Sequence, residues 1–167
     1  MKASSRLVFF CSICILSLLF AGESHASRQR QINIDLHPTG PRTLNFIDGE
    51  SVRGQGFHGT VLVSLLGAPT IIELECIWYQ DPRGSSDKEQ ILLCKEDLDS
   101  YADVSNPRQN GIDMWVLAGD PLELEGELEV GASKFQLSAK LSGSDGVHSG
   151  KAEVKGVGQS KMNLNIG

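Results

Sequence analysis

From Leu122 to Leu141 the chain alternates apolar and polar side chains: Leu-Glu-Leu-Glu-Gly-Glu-Leu-Glu-Val, then Gly-Ala, then Ser-Lys-Phe-Gln-Leu-Ser-Ala-Lys-Leu. Successive side chains of a strand point to opposite faces, so a period of two marks a half-buried β-strand. Gly131-Ala132 suits a two-residue hairpin turn of type II′, with glycine at the first central position. That turn opposes Val130 to Ser133 and fixes the rest of the register. Leu128 then faces Phe135, Leu124 faces Ala139 and Leu122 faces Leu141 on one side. On the other side Glu129 faces Lys134 and Glu123 faces Lys140. Apolar pairs and opposite charges coincide in this register, which cross-strand pairing favours. A slip of one residue would turn the leucines into water.

The same reasoning extends to the two cysteines that follow the leader, Cys76 and Cys94. Thr70 to Tyr79 places Ile72, Leu74, Cys76 and Trp78 on one face, and Gln90 to Lys95 places Leu92 and Cys94 on one face. Opposing Cys76 to Cys94 also opposes Trp78 to Leu92 and Gln80 to Gln90. The sequence therefore predicts an antiparallel hairpin pinned by a Cys76–Cys94 disulfide, as expected of an even cysteine count in an oxidising compartment. Its tip, Asp81 to Glu89, is polar and is expected to be exposed.

Residues 1–26 read as a cleaved signal peptide. Lys2 and Arg6 precede an apolar run from Leu7 to Phe20, and Ser24-His25-Ala26 offers small residues at the two positions that matter. Residues 27–167 then form a single domain, expected to be secreted or periplasmic. Removing Lys2, Arg6 and Glu23 from 15 basic and 21 acidic residues leaves 13 and 20, a net charge of −7. An acidic chain without a Lys/Arg cluster argues against nucleic-acid binding, and no second apolar stretch is long enough to span a membrane.

Elsewhere, Gln31–Leu36 and Thr43–Ile47 read as two short strands separated by Pro38, Gly40 and Pro41. Gly54, Gly56 and Gly59 suggest an irregular segment over 51–59, and Ser142–Gly150 a flexible loop. Thr60–Leu66 is apolar on both faces, Glu96–Ala102 allows a helical turn, and Ile112–Ala118, Lys151–Lys155 and Lys161–Ile166 alternate. About nine or ten short strands without a fixed repeat point to an all-β domain, an antiparallel two-sheet β-sandwich with one disulfide.

Catalytic signatures are lacking. There is no Gly-x-Ser-x-Gly elbow and no His-Glu-x-x-His helix, and the glycines at 54, 56 and 59 do not lie between a buried strand and a helix as a dinucleotide loop requires. No cofactor is expected. Asp97, Asp99 and Asp103 are weak candidates for calcium, since their spacing lacks the glycine and distal glutamate of an EF-hand loop. Tyr79, Tyr101 and Trp115 are candidate binding residues. If Trp78 and Met114 face the core, Tyr79 and Trp115 face away from it, where aromatic rings stack on sugars or pack under a second core. The leading expectation is a non-enzymatic binding or assembly-accessory protein with a protein partner in the cell envelope, reached through polar loops and open sheet edges. The alternatives are a carbohydrate-binding module using the aromatics, and a small hydrolase with a site around His58 or Asp97 to Asp103.

Overall fold

The computed structural model describes residues 31–64, 68–82, 89–103, 109–117, 119–144 and 146–165. The expected leader and hairpin tip residues 83–88 lie outside them. The described strands are β1 (Gln31–Asn45), β2 (Ser51–Ser64), β3 (Thr70–Gln80), β4 (Glu89–Lys95), β5 (Gly111–Leu117), β6 (Leu122–Val130), β7 (Ser133–Ser144), β8 (Val147–Val154) and β9 (Gly158–Asn165), with one short helix, α1 (Leu98–Asp103), between β4 and β5.

Each strand pairs antiparallel with the next, and the meander closes into a barrel where β1 meets β9. This corrects the expected two-sheet sandwich. Nine strands alternating in direction leave the first and last pointing the same way, so the seam is parallel, with Asn33 to Leu36 beside Lys161 to Leu164. The seam also removes the open sheet edges that a sandwich would have offered to a partner strand. Asn163 adds a side-chain bond across it, donating to Asp35 over 2.6 Å.

Alternation fills the barrel. Ile32, Ile34, Leu74, Leu92, Ile112, Leu124, Leu141, Val154 and Met162 all point inward and are buried in one cluster. Each such side chain contributes about 1.5–3 kcal/mol relative to exposure. Outward positions on β6 to β9 carry Glu, Lys, Gln, Ser and Asn. On these four strands a greasy inner face with a polar outer face is the reverse of a wall that faces lipid. No helix among the described residues is long and apolar enough to cross a membrane.

The β6–β7 register pairs Val130 with Ser133, Glu129 with Lys134, Glu123 with Lys140 and Leu122 with Leu141, and Gly131 holds a positive φ of 60° at the turn. Cys76 opposes Cys94 in the β3–β4 register, and the two form a disulfide. Trp78 packs inward, donating its indole N–H to Gln90 over 2.7 Å and stacking against Phe57.

Three segments differ from expectation. The first two expected strands are one, β1, because the break is a bulge between Pro38 and Gly40 rather than a stop. Residues 51–59 belong to β2 rather than to an irregular turn. A Cβ on Gly59 would lie 2.2 Å from Leu36 Cδ2, and one on Gly54 would lie 2.0 Å from the Trp78 carbonyl oxygen. Glycine here allows close strand approach. The expected loop over 142–150 is mostly strand, since β7 runs to Ser144 and β8 begins at Val147.

The bulge has a further effect. Leu36 and Leu44 share parity, yet Leu36 is in the barrel core while Leu44 belongs to a second cluster. One extra residue in β1 switches the face that later residues present. Leu44 and its partner Val52 thus join Ile77, Tyr79 and Leu93 on the outer face of the wall, roofed by Leu98 and Ala102 of α1. The Ile47 amide donates to the Ala102 carbonyl over 3.0 Å, tying the β1–β2 turn to that roof.

Candidate functional site: an external aromatic and acidic hollow

Register builds the site. On the outer face of β3 to β6 one row runs Tyr79, Ile91, Trp115, Glu125, and the next runs Ile77, Leu93, Asp113, Glu127. The second core covers one end of these rows and stops short of the other. An open hollow of about 740 Å³ remains, lined among others by Phe46, Tyr79, Tyr101, Trp115, Asp113 and Glu125. The three aromatic candidates Tyr79, Tyr101 and Trp115 thus share one surface. Tyr79 is buried, whereas Trp115 is 49% exposed. Among the described residues no lysine or arginine lines this hollow, while Glu50, Asp81 and Glu127 add further acid.

A second hollow of about 450 Å³ adjoins it, sharing Tyr101, Asp113 and Glu127 and adding Lys95, Glu129 and Lys134. Lys95 projects outward from β4 but is only 3% exposed. Its ammonium sits 4.7 Å from the centre of the Tyr101 ring and 3.0 Å from Glu129 Oε2. Lys134 approaches Glu129 Oε1 at 2.6 Å and Glu127 Oε2 at 3.5 Å. The hydrogen bond from Lys134 is the main reason the Glu129 carboxyl is held below its usual range; partial burial opposes it and Lys95 reinforces it.

Asp113 behaves in the opposite way. Desolvation in the hollow raises its carboxyl pKa, Lys95 opposes this, and Glu127 and Glu129 add to it. Desolvation disfavours charge, so an added cation would relieve Asp113. Asp113 and Glu125 make no hydrogen bond or salt bridge among the described residues.

The other candidates are placed elsewhere. Asp97 caps α1, its carboxylate accepting from the Ser100 amide over 2.9 Å, as an N-terminal capping residue does. Arg42 bridges Asp99 and Glu75 at 2.9 Å each. The Asp103 side chain lies outside the description. Among the described residues no group of three or more His, Cys, Asp or Glu is arranged to hold a metal ion. His58 opposes His37 on β1 and Glu75 on β3, and all three are at least partly exposed. Neither His58 nor Asp97 nor Asp99 lines either hollow.

The sequence reading missed Phe46, Asp113 and Lys95. A usable signal was parity. Ile77, Tyr79, Ile91 and Leu93 all lie opposite the face that carries the cysteines, so these strands carry apolar residues outward. The register also assembles a basic row that the linear sequence hides, since Lys140, Lys151 and Lys161 align across β7 to β9.

Comparison of the chain with protein-family models, curated proteins and solved structures found no match in any of the three. What fold and site define is a nine-stranded, disulfide-pinned β-barrel with a packed interior and a hollow on its outer wall.

Proposed function

We propose that this is an exported, non-enzymatic binding protein that seats a segment of a protein partner in the external hollow. The observation that carries the reading is Trp115, half-exposed on the barrel wall in a hollow shared with Tyr79, Tyr101 and two carboxylates, Asp113 and Glu125, that make no hydrogen bond among the described residues. A large ring left in water on a rigid surface, within a concave aromatic patch, is the usual composition of a contact site. The buried disulfide and the leader-like residues 1–26 support export. Because the described strands close into a barrel without a free edge, the contact we propose uses a sheet face instead of the expected sheet edge.

The test is selection of peptides from a displayed random library on the intact protein, followed by counter-selection on Trp115→Ala. Enrichment of peptides that bind the wild type and lose the variant supports the reading. Enrichment that ignores the substitution refutes it. A second reading, carbohydrate binding, is favoured by the pairing of the Trp115 ring with Asp113 and Glu125, because a sugar can stack its apolar face on an indole while its hydroxyls donate to carboxylates. Glycan-array binding that disappears in Trp115→Ala would establish it in place of the first.

A further inference from the structure

The two adjoining hollows differ in chemistry, and the second already holds a cation supplied by the chain. Lys95 lies against the Tyr101 ring and the Glu129 carboxylate at 4.7 and 3.0 Å. Among the described residues the first, aromatic hollow has the same components without the cation. Trp115 and Glu125 are direct cross-strand partners, as are Asp113 and Glu127, so four side chains form the corners of one patch. Cross-strand neighbours stand about 5 Å apart and same-face neighbours along a strand about 7 Å, the scale of a guanidinium group. Trp115 offers a half-exposed ring face, and Asp113 and Glu125 offer carboxylates with no salt bridge among the described residues.

Resting on the reading of the hollow as a binding site, we infer that its occupant is a basic peptide segment whose arginine or lysine side chain lies on Trp115 between Asp113, Glu125 and Glu127. Cation–π attraction and charge-assisted hydrogen bonds both favour this group. Arginine suits the patch better than lysine, since its planar fork can stack on the indole while bonding to carboxylates at its edge. A neutral segment would meet the same rings but bring no charge to offset Asp113 and Glu125. Glu127 is already approached by Lys134 at 3.5 Å, which leaves Asp113 and Glu125 as the principal counter-charges.

The experiment is calorimetric titration of the intact protein with a capped peptide alternating arginine and alanine, and with the same peptide carrying citrulline for arginine. Binding of the arginine peptide at least about tenfold tighter than the citrulline peptide is expected, with the difference shrinking at high salt. Asp113→Asn with Glu125→Gln should remove most of that preference. Glu73→Gln with Glu153→Gln removes two charges from exposed positions outside both hollows and should leave it intact. If the outer pair matters as much as the inner pair, the acidic net charge alone attracts the peptide and the inference falls. If both peptides bind equally and both are lost in Trp115→Ala, the cationic occupant is refuted while the hollow stands as a binding site. If binding of either peptide ignores Trp115→Ala, both fall together. Cooperative urea unfolding of each variant with the wild-type slope shows that the fold is retained.

Discussion

Replacing Glu129 by alanine strands a buried ammonium. The Lys95 side chain is 4% exposed and that of Glu129 26%, and they meet at 3.0 Å. At an effective dielectric constant near 20 the gross attraction at that distance is about 5 kcal/mol, and truncating one partner of a buried pair costs about 3–5 kcal/mol. The partly open Glu129 and the remaining attraction of Asp113 and the Tyr101 ring reduce this, so Glu129→Ala is expected to cost about 2–4 kcal/mol. The reverse change is milder. Lys95→Met keeps most of the buried stem, and Glu129 retains Lys134 at 2.6 Å, so about 1 kcal/mol or less is expected. The double variant should resemble Lys95→Met, because no charge is stranded. Urea unfolding with the disulfide intact, followed by tryptophan fluorescence, measures all three, and a double-mutant cycle isolates the coupling. A double variant less stable than Glu129→Ala, or a Glu129→Ala cost near zero, would refute the reasoning.

Other expectations are open to simple assays. Trp115→Ala should change stability by no more than about 1 kcal/mol while abolishing peptide binding, because half the ring already faces water; calorimetry of both properties on one sample checks this. Asp113 remains exposed to solvent, yet its neighbours desolvate the carboxyl enough to raise its pKa from its unfolded value of 3.8, so its charged form opposes folding slightly. Asp113→Asn should therefore be more stable than wild type at neutral pH, and that advantage should disappear as pH falls below the unfolded value, which thermal melts across pH 3–8 would reveal. Replacing Cys76 and Cys94 together by alanine opens a loop with a sequence separation of 18 and should cost about 3 kcal/mol in the chain-entropy description, read from the same urea curves. A Cβ on Gly126 would lie 2.0 Å from the Asp113 carbonyl oxygen, so Gly126→Ala should push β6 from β5. It should cost about 2–4 kcal/mol and raise amide exchange at the hollow.

The strand pairings legible in the sequence were those with chemistry on both sides. Glu129 with Lys134, Glu123 with Lys140 and Cys76 with Cys94 each state a register through charge or sulfur. Closure was not legible, because it depends on the accumulated twist and stagger of nine strands and on contacts as remote as Asp35 with Asn163. Glycines at 54, 56 and 59 have the composition of a turn until the neighbouring strand is seen pressing on them. The bulge at Pro38 to Gly40 reads as a strand end for the same reason. The aromatic candidates came from parity alone. Their common hollow needed the β4–β5 and β5–β6 registers, for which Asp113 and Trp115 give no unambiguous partner.

The parallel seam also governs how the polypeptide can be rewired. Gln31 and Asn165, the first and last described residues, stand at different heights on the wall, since Leu36 lies level with Leu164. Six residues of extended backbone separate these levels, about 20 Å. A circular permutant opened at Gly131-Ala132 therefore cannot be rejoined by a tight turn, as it could in an even-stranded meander. A splice of roughly eight or more residues climbing the outside would preserve the barrel, whereas a two-residue splice would peel β9 from β1.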